Sequence, residues 1–418
     1  MLKKRDSCRL CDNDQLALAL KLKATPIADA FHAEKLNKKF ETLYPLDIFR
    51  CLNCGHFQHL EFIEAVELFD EYIFRTSSSK GLVNHFKSYA KNCVESFGLR
   101  ENNLVVEIGS NDGTLLKFFE KYKLRVIGID PAKSIASDAT SEGINTIVGY
   151  FSDELAAKIR NRYGQASLIC ANNVFAHADN LISITKGIKN LLEPSGIFIF
   201  EVSYIVDMIK NCVFDTIYHE HLSYHSIKPL KIFFSEYQLH IFNVEKINTK
   251  GGSIRVYVQH SGGPYIEKDI VQDLIQKEES QKLYSHNSLQ NLNDGISASR
   301  HATLSWLENN CGRKTVYGFG ASPTCTTILY QLQLEKQITN ILDDNEDKQN
   351  LFSPGENIEV ISPKIIQSDS NSKIVVILAW QYAEAIINNN INFLKQGGVF
   401  LVPMPKFKAF GENFEKWL

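Results

Sequence analysis

Apolar residues in this chain fall into short continuous runs separated by stretches of helical periodicity, the pattern of buried parallel strands alternating with amphipathic helices. The clearest run is Leu104-Val105-Val106-Glu107-Ile108. It stops at Gly109-Ser110-Asn111-Asp112-Gly113 and resumes as Thr114-Leu115-Leu116-Lys117-Phe118-Phe119. Strand, Gly-rich turn and helix predict a doubly wound α/β sheet, with a helix over 82–97 before it. Further strands are predicted over 125–130, 145–149, 166–173 and 196–202. Two later runs, 239–244 and 253–258, complete a seven-stranded sheet through a closing hairpin, with Gly251-Gly252 at its turn.

Beyond Gly263-Pro264 the periodicity over 266–310 predicts one or two long helices, with a break near 285–288. A second strand–loop–helix follows at Thr315–Thr324, with Gly320 and Pro323 in its loop, and strands are predicted over 338–342, 373–380 and 399–402. Ahead of the first sheet, 43–51 reads as a strand and Thr76-Ser77-Ser78-Ser79 as a hinge or helix cap. The expected architecture is therefore α/β in three parts. A small N-terminal domain (1–75) precedes a central seven-stranded Rossmann-like domain (76–262) and a C-terminal Rossmann-like α/β domain (263–418). The 418 residues fit about three domains at roughly 150 residues each.

Composition narrows the function classes. Lys and Arg number 45 and Asp and Glu 48, a formal charge of -3. That lacks the strongly basic field of a nonspecific nucleic-acid binder. No run approaches the roughly 18 apolar residues of a membrane span, and no apolar segment follows the charged start, so a cytoplasmic protein with no membrane partner is expected.

Nine cysteines, an odd number, argue against a full disulfide framework. Four instead form two C-x2-C pairs, Cys8/Cys11 and Cys51/Cys54, the second followed by Gly55. Each pair can aim two sulfurs at one ion, and four thiolates suit tetrahedral Zn2+. The 39 intervening residues are more than usual. A closed four-cysteine site is structural, because it leaves no open position for a reacting ligand; unrelated reduced cysteines and redox chemistry are the other readings of the pairs.

The loop after the first strand departs from the dinucleotide spacing: its glycines sit at G-x-x-x-G, and an acid, Glu107, precedes the first. An acid there disfavours a pyrophosphate and suits a cation such as a sulfonium or an amino-acid ammonium. The next strand ends in Asp130, 21 residues after Gly109, where a carboxylate can grip both hydroxyls of a ribose. This combination resembles the signature of S-adenosylmethionine (SAM) methyltransferases; a Rossmann-like domain for another nucleotide is the alternative. The resemblance implies a SAM site made by Glu107, Gly109, Ser110, Asn111, Asp112, Gly113 and Asp130. It also implies Pro131, Tyr150 and Phe151 beside the adenine. Asn172 and Asn173 end the fourth strand, where open α/β sheets bind ligands.

Within Tyr218-His219-Glu220-His221 and the nearby His225 lies a concentration of imidazoles. Histidine exchanges protons near neutral pH, a neighbouring Glu can orient it, and Tyr can donate to a developing oxyanion. Metal ligation and structural hydrogen bonding are the other readings of the block. With the cysteine pairs, Glu107–Gly113, Asn173–His177 and Gly251–Arg255, the whole chain resembles the sugar C-methyltransferases that act at C-3 of nucleotide-linked 4-keto-deoxysugars. The resemblance implies structural zinc, SAM as cofactor and a C-terminal domain that docks the sugar nucleotide. It implies His221 as base, with Tyr218, Glu220, His177 and Tyr72 around the sugar. The Gly320–Thr324 loop and the stretch Arg75–Lys80 depart from the family pattern. For that C-terminal loop, a structural cap and a redox-cofactor site are alternatives to sugar-nucleotide docking. A zinc-module RNA methyltransferase and a catalytically inactive SAM-fold binding protein are the rival functions. Neither the nucleotide nor the choice between monomer and homodimer is readable from the residues.

Overall fold

The structure is a computed structural model that describes residues 2–37, 42–70, 72, 74–249 and 251–411. The chain divides into two compact units, each assembled from separated stretches. One comprises Met1–Ala17, Arg50–Ile205 and Leu222–Tyr284; the other comprises Leu18–Phe49, Val206–His221 and Ser285–Leu418.

In the first unit the predicted seven-stranded sheet forms from β1 (Leu104–Ile108), β2 (Arg125–Asp130), β3 (Thr146–Val148), β4 (Ala166–Asn172), β5 (Leu192–Ser203), β6 (Leu239–Ile247) and β7 (Ser253–His260). Their order across the sheet is β6-β7-β5-β4-β1-β2-β3. The strands from β5 to β3 pair in parallel, and β7 joins antiparallel to both β5 and β6. Every residue of β1 and β4 is buried, as expected where helices cover both faces. Strand order reverses between β1 and β4, so the carboxyl ends of these two neighbours open the crevice where such sheets take ligands.

Helix α1 (Lys80–Phe97) starts at Ser79, whose side chain accepts from the Leu82 N–H, and ends at Gly98 in the left-handed region. The Ser run thus supplies a cap. Phe86, Tyr89, Ala90 and Cys93 form the buried face of α1, at the spacing of a single helical stripe. Helix α2 (Thr114–Glu120) follows the Gly-rich loop. The predicted strand over 43–51 shortens to Ile48–Cys51. Pro45 lies in the part that stays out of the ladder, and proline has no N–H to give to one. Helix α3 (Ile227–Glu236) receives its N-terminal cap from a distance. Glu278, on α4 (Asp269–Ser280), accepts from the Ile227 and Lys228 N–H groups at 2.7 and 3.0 Å.

The second unit contains α5 (Gln290–Asn310), α6 (Pro323–Leu332) and a six-stranded sheet. Its strands are β8 (Thr315–Phe319), β9 (Asn340–Leu342), β10 (Glu359–Ile361), β11 (Lys373–Ile377), β12 (Val399–Val402) and β13 (Lys408–Phe410), ordered β10-β9-β8-β11-β12-β13. All pairs are parallel except the last. The predicted long helical region resolves into α4 and α5 with a break over 281–289. Among the described residues no helix is long and apolar enough to cross a membrane.

Candidate zinc, cofactor and catalytic sites

Cys8, Cys11, Cys51 and Cys54 bring their sulfurs within 4.8 Å of one another. The Cys8–Cys54 and Cys11–Cys51 separations are both 3.6 Å. A tetrahedron with Zn–S bonds of about 2.3 Å has edges of about 3.8 Å, so the four sulfurs are spaced for one Zn2+. Local turns aim them. The Asp12 N–H closes on the Cys8 carbonyl, and the Gly55 N–H on the Cys51 carbonyl. Gly55 sits at φ +87°, and a Cβ there would come within 2.5 Å of the Tyr284 ring. Four thiolates this close need a cation to offset their repulsion. Among the described residues this is the one group of His, Cys, Asp or Glu side chains arranged to hold a metal; His219, Glu220 and His221 form no such group. The remaining cysteines are free, and Cys93, Cys170 and Cys325 are buried fillers.

The loop after β1 has the form of a cradle. Gly109 lies at φ +69° and Gly113 at φ +73°. A Cβ on Gly109 would come within 2.3 Å of Val174 Cγ2. Around the loop several buried polar atoms, Glu107 Oε2, Ser110 Oγ and both Oδ1 and Nδ2 of Asn172, make no hydrogen bond of good geometry, although Asn172 lies close enough to the Glu107 carboxyl to favour its charged form. Glu107 and Asn172 stand at the carboxyl ends of β1 and β4, at the strand-order reversal. Unsatisfied buried groups are costly, so this set fits a bound ligand with both donors and acceptors. Burial pushes the Glu107 carboxyl well above the ordinary carboxylate range; the Asn172 side chain works against the shift, and Asp130 and Asp112 add to it. A ligand cation beside Glu107 would relieve that.

Asp130 ends β2 with both oxygens engaged. Oδ2 accepts from the Asn111 N–H at 2.8 Å and Oδ1 from the Ala132 N–H at 2.9 Å. Burial raises this carboxyl, with the two backbone bonds working against the shift. The side chains of Asn111 and Asp112 hold the preceding segment. Asn111 Oδ1 accepts from the Thr76 N–H and its Nδ2 donates to the Phe74 carbonyl, both at 2.9 Å. Asp112 Oδ2 accepts from the Ser77 N–H at 2.9 Å. Tyr150 is exposed and donates to Asp70 Oδ1 at 2.9 Å, whereas Phe151 is buried. Pro131 is half-buried beside Asp130. Asn173 is in the left-handed region at φ +56°, its N–H on the Glu201 carbonyl. Tyr72 and His177, far apart in sequence, meet at one ring: Phe69 lies 5.7 Å from each.

The Tyr-His-Glu-His block belongs to the second unit. All four side chains are at least nine-tenths buried, but they do different things. His219 turns its ring edge-on to Tyr44, and burial lowers its pKa to about 4, so it stays neutral. The His221 ring lies 4.2 Å from that of Tyr218, and its Nδ1 is 2.5 Å from the Thr216 carbonyl. A carbonyl only accepts, so Nδ1 carries a proton, and whenever the ring is neutral its lone pair is on Nε2. His225 packs in the first unit beside His56, fully buried, with its pKa lowered to about 4 by burial.

Three features left no legible signal in the sequence. Thr216 acts through its main chain. Asp215, fully buried, accepts from Trp380 Nε1 at 2.8 Å across 165 residues. Glu201 on β5 binds Arg255 Nε at 2.6 Å and His85 at 2.9 Å, with Arg255 over the Tyr89 ring.

Three family descriptions match consecutive parts of the chain: a putative zinc binding domain over 8–69, a methyltransferase domain over 84–244, and a C-methyltransferase C-terminal domain over 248–405. The C-methyltransferase NovU of Streptomyces niveus is 32% identical over 403 residues, 96% of each chain. The chain belongs to the C-methyltransferase family. This C-methyltransferase is SAM-dependent, and the orphaned polar atoms around Gly109–Gly113 fit that cofactor. Its four-cysteine cluster is the structural zinc site. Solved structures are similar over a smaller part of this C-methyltransferase. A SAM-dependent methyltransferase from Clostridium acetobutylicum is 14% identical and covers 44% of this chain and 92% of its own, with a TM-score of 0.35. Magnesium protoporphyrin IX methyltransferase from Synechocystis, with bound SAM, is 11% identical over 43% of this chain and 80% of its own, with a TM-score of 0.33.

Proposed function

We propose that this C-methyltransferase adds a methyl to C-3 of a nucleotide-diphosphate-linked 4-keto-6-deoxysugar, with His221 as the base. The observation that carries this reading is the bond from His221 Nδ1 to the Thr216 carbonyl, which leaves the basic lone pair on Nε2. When bound, SAM supplies an electrophilic sulfonium methyl for a carbon nucleophile. A C–H beside a ketone is acidic because its anion is an enolate, so a neutral histidine suffices to make that nucleophile. His221 Nε2 takes the C-3 proton, and the C–H electrons move onto the C-4 oxygen. Tyr218 or His177 donates to that oxygen, Glu220 polarises His221, and Tyr72 borders the sugar. A positioned general base contributes about 10²–10⁴-fold.

In this reading residues 76–262 hold SAM and residues 263–418 dock the sugar nucleotide. Glu107 meets the amino-acid ammonium, Asp130 the ribose, and Pro131, Tyr150 and Phe151 the adenine. Gly109–Gly113, Asn172 and Asn173 supply the rest of the cradle. The test is His221→Gln, assayed with dTDP-4-keto-6-deoxyglucose and its GDP and CDP counterparts. Turnover is expected to fall about 10²–10⁴-fold while S-adenosylhomocysteine affinity stays at the wild-type value. Wild-type turnover in that variant would remove His221 as the base. No methylation of any sugar by the wild type would remove the substrate class.

A further inference from the structure

The carbonyl that sets the His221 tautomer belongs to a short turn, and that turn is held from both sides. On one side of Thr216, the Asp215 carboxylate is buried and accepts from Trp380 Nε1 at 2.8 Å. On the other, the Ile217 carbonyl accepts from Thr327 Oγ1 at 2.8 Å, and Thr327 is fully buried on α6. Trp380 lies just past the carboxyl end of β11, and α6 follows the loop at the carboxyl end of β8. Neighbouring strands of the C-terminal sheet therefore deliver the two clamps.

We propose that Trp380 and Thr327 are positioning residues for His221: by fixing residues 215 and 217 they hold the Thr216 carbonyl against Nδ1, and so keep the basic lone pair on Nε2. This rests on the reading of His221 as the base. The Thr216 carbonyl shares its peptide plane with the Ile217 N–H, which donates to the Phe214 carbonyl at 3.0 Å, so holding residues 215 and 217 limits how that plane can turn. The choice of protonated ring nitrogen follows the partner of the other nitrogen. A loosened Thr216 carbonyl lets the proton reside on Nε2, and the ring then cannot accept one there. The C-terminal sheet would in this way set the fraction of molecules with a competent base, in addition to any role in docking. Asp215 shows the same demand for order: burial raises its pKa to about 6, against the Trp380 bond that favours its charged form.

The experiment separates the base step from methyl transfer. Exchange of the C-3 proton of dTDP-4-keto-6-deoxyglucose into D2O, without SAM, reports the base alone. Trp380→Phe and Thr327→Val are expected to lower this exchange and kcat by the same factor, about tenfold or more, because a histidine in the wrong tautomer can lose up to ~10⁴. KM for the sugar nucleotide and S-adenosylhomocysteine affinity are expected to stay unchanged, and Thr327→Ser to restore the rate. Wild-type exchange in both Trp380→Phe and Thr327→Val overturns the proposal. So does a rate loss matched by loss of cofactor affinity or zinc content, which marks a general packing role. His221→Gln distinguishes the two readings. If it exchanges at the wild-type rate, the base assignment itself has failed. If it is inactive while both clamp variants are normal, only the clamp has failed.

Discussion

Replacing Asp130 by Asn keeps the shape of the side chain and changes one oxygen into an amide NH2. In the wild type, Oδ2 accepts from the Asn111 N–H and Oδ1 from the Ala132 N–H, in a carboxylate that is only 6% exposed. An asparagine can satisfy one of these donors in either orientation, and then presents N–H to the other. One buried donor therefore loses its acceptor, at a cost of about 1–3 kcal/mol. If the Asn111 donor is lost, the strain falls on a residue at φ +50° in the middle of the Gly109–Gly113 loop. If the Ala132 donor is lost, it falls beside Pro131. Both lie in the proposed cofactor cradle. At about 1.4 kcal/mol per tenfold, the expected weakening is about 5- to 150-fold in Kd for S-adenosylhomocysteine. Titration calorimetry measures it, with a thermal melt of the ligand-free protein to separate local from global loss. A Kd within twofold of wild type and an unchanged melting temperature would refute the argument that this carboxylate organises the cofactor loop.

Three further outcomes are expected. Cys54→Ser breaks the tetrahedral thiolate set, so metal analysis should show less than one zinc per chain and the melting temperature should drop; full zinc content with wild-type stability would refute the ligand assignment. Glu107 has its pKa raised by burial, so the ligand-free fold binds more protons than the unfolded chain and loses stability as pH rises from the ordinary carboxylate range through the raised value. A cofactor cation favours the ionised carboxylate, so SAM affinity is expected to rise with pH through the raised Glu107 range; an affinity that does not change with pH there means that Glu107 is not beside the cation. For Glu201, burial opposes ionisation but His85 and Arg255 outweigh it and hold the carboxyl below its ordinary range, giving stability that is present above that range and lost as pH falls. Arg255→Met leaves a buried carboxylate with one partner fewer, at about 3–5 kcal/mol, and should move the acid-unfolding midpoint to higher pH; an unmoved midpoint would refute the pairing.

The fold was legible wherever its cause is local. The apolar run of β1 broken by Gly109 and Gly113 predicts strand, loop and helix because burial on both faces and left-handed backbone are needs of those residues themselves. The two C-x2-C pairs likewise carry their geometry in tight turns, so the ligand set could be read although 39 residues separate them. The acid ending β2 marks its place by spacing alone.

Only the tertiary structure decided what the polar side chains do. Residue type and spacing alone do not separate His219, His221 and His225; the family resemblance singles out His221. In the fold His219 meets Tyr44, His225 is sealed beside His56, and only His221 receives a carbonyl on Nδ1. Asn111 and Asp112 read as cofactor residues, and the structure adds a second task for their side chains, anchoring residues 74–77. Tyr72 and His177 come together through Phe69, and Trp380 reaches Asp215 across 165 residues. The physical reason is the same in each case. Apolar patterning and turn chemistry act within a few residues, whereas a buried polar group takes its partner from whatever the packed core brings beside it. That choice exists only after distant segments have been ordered against one another.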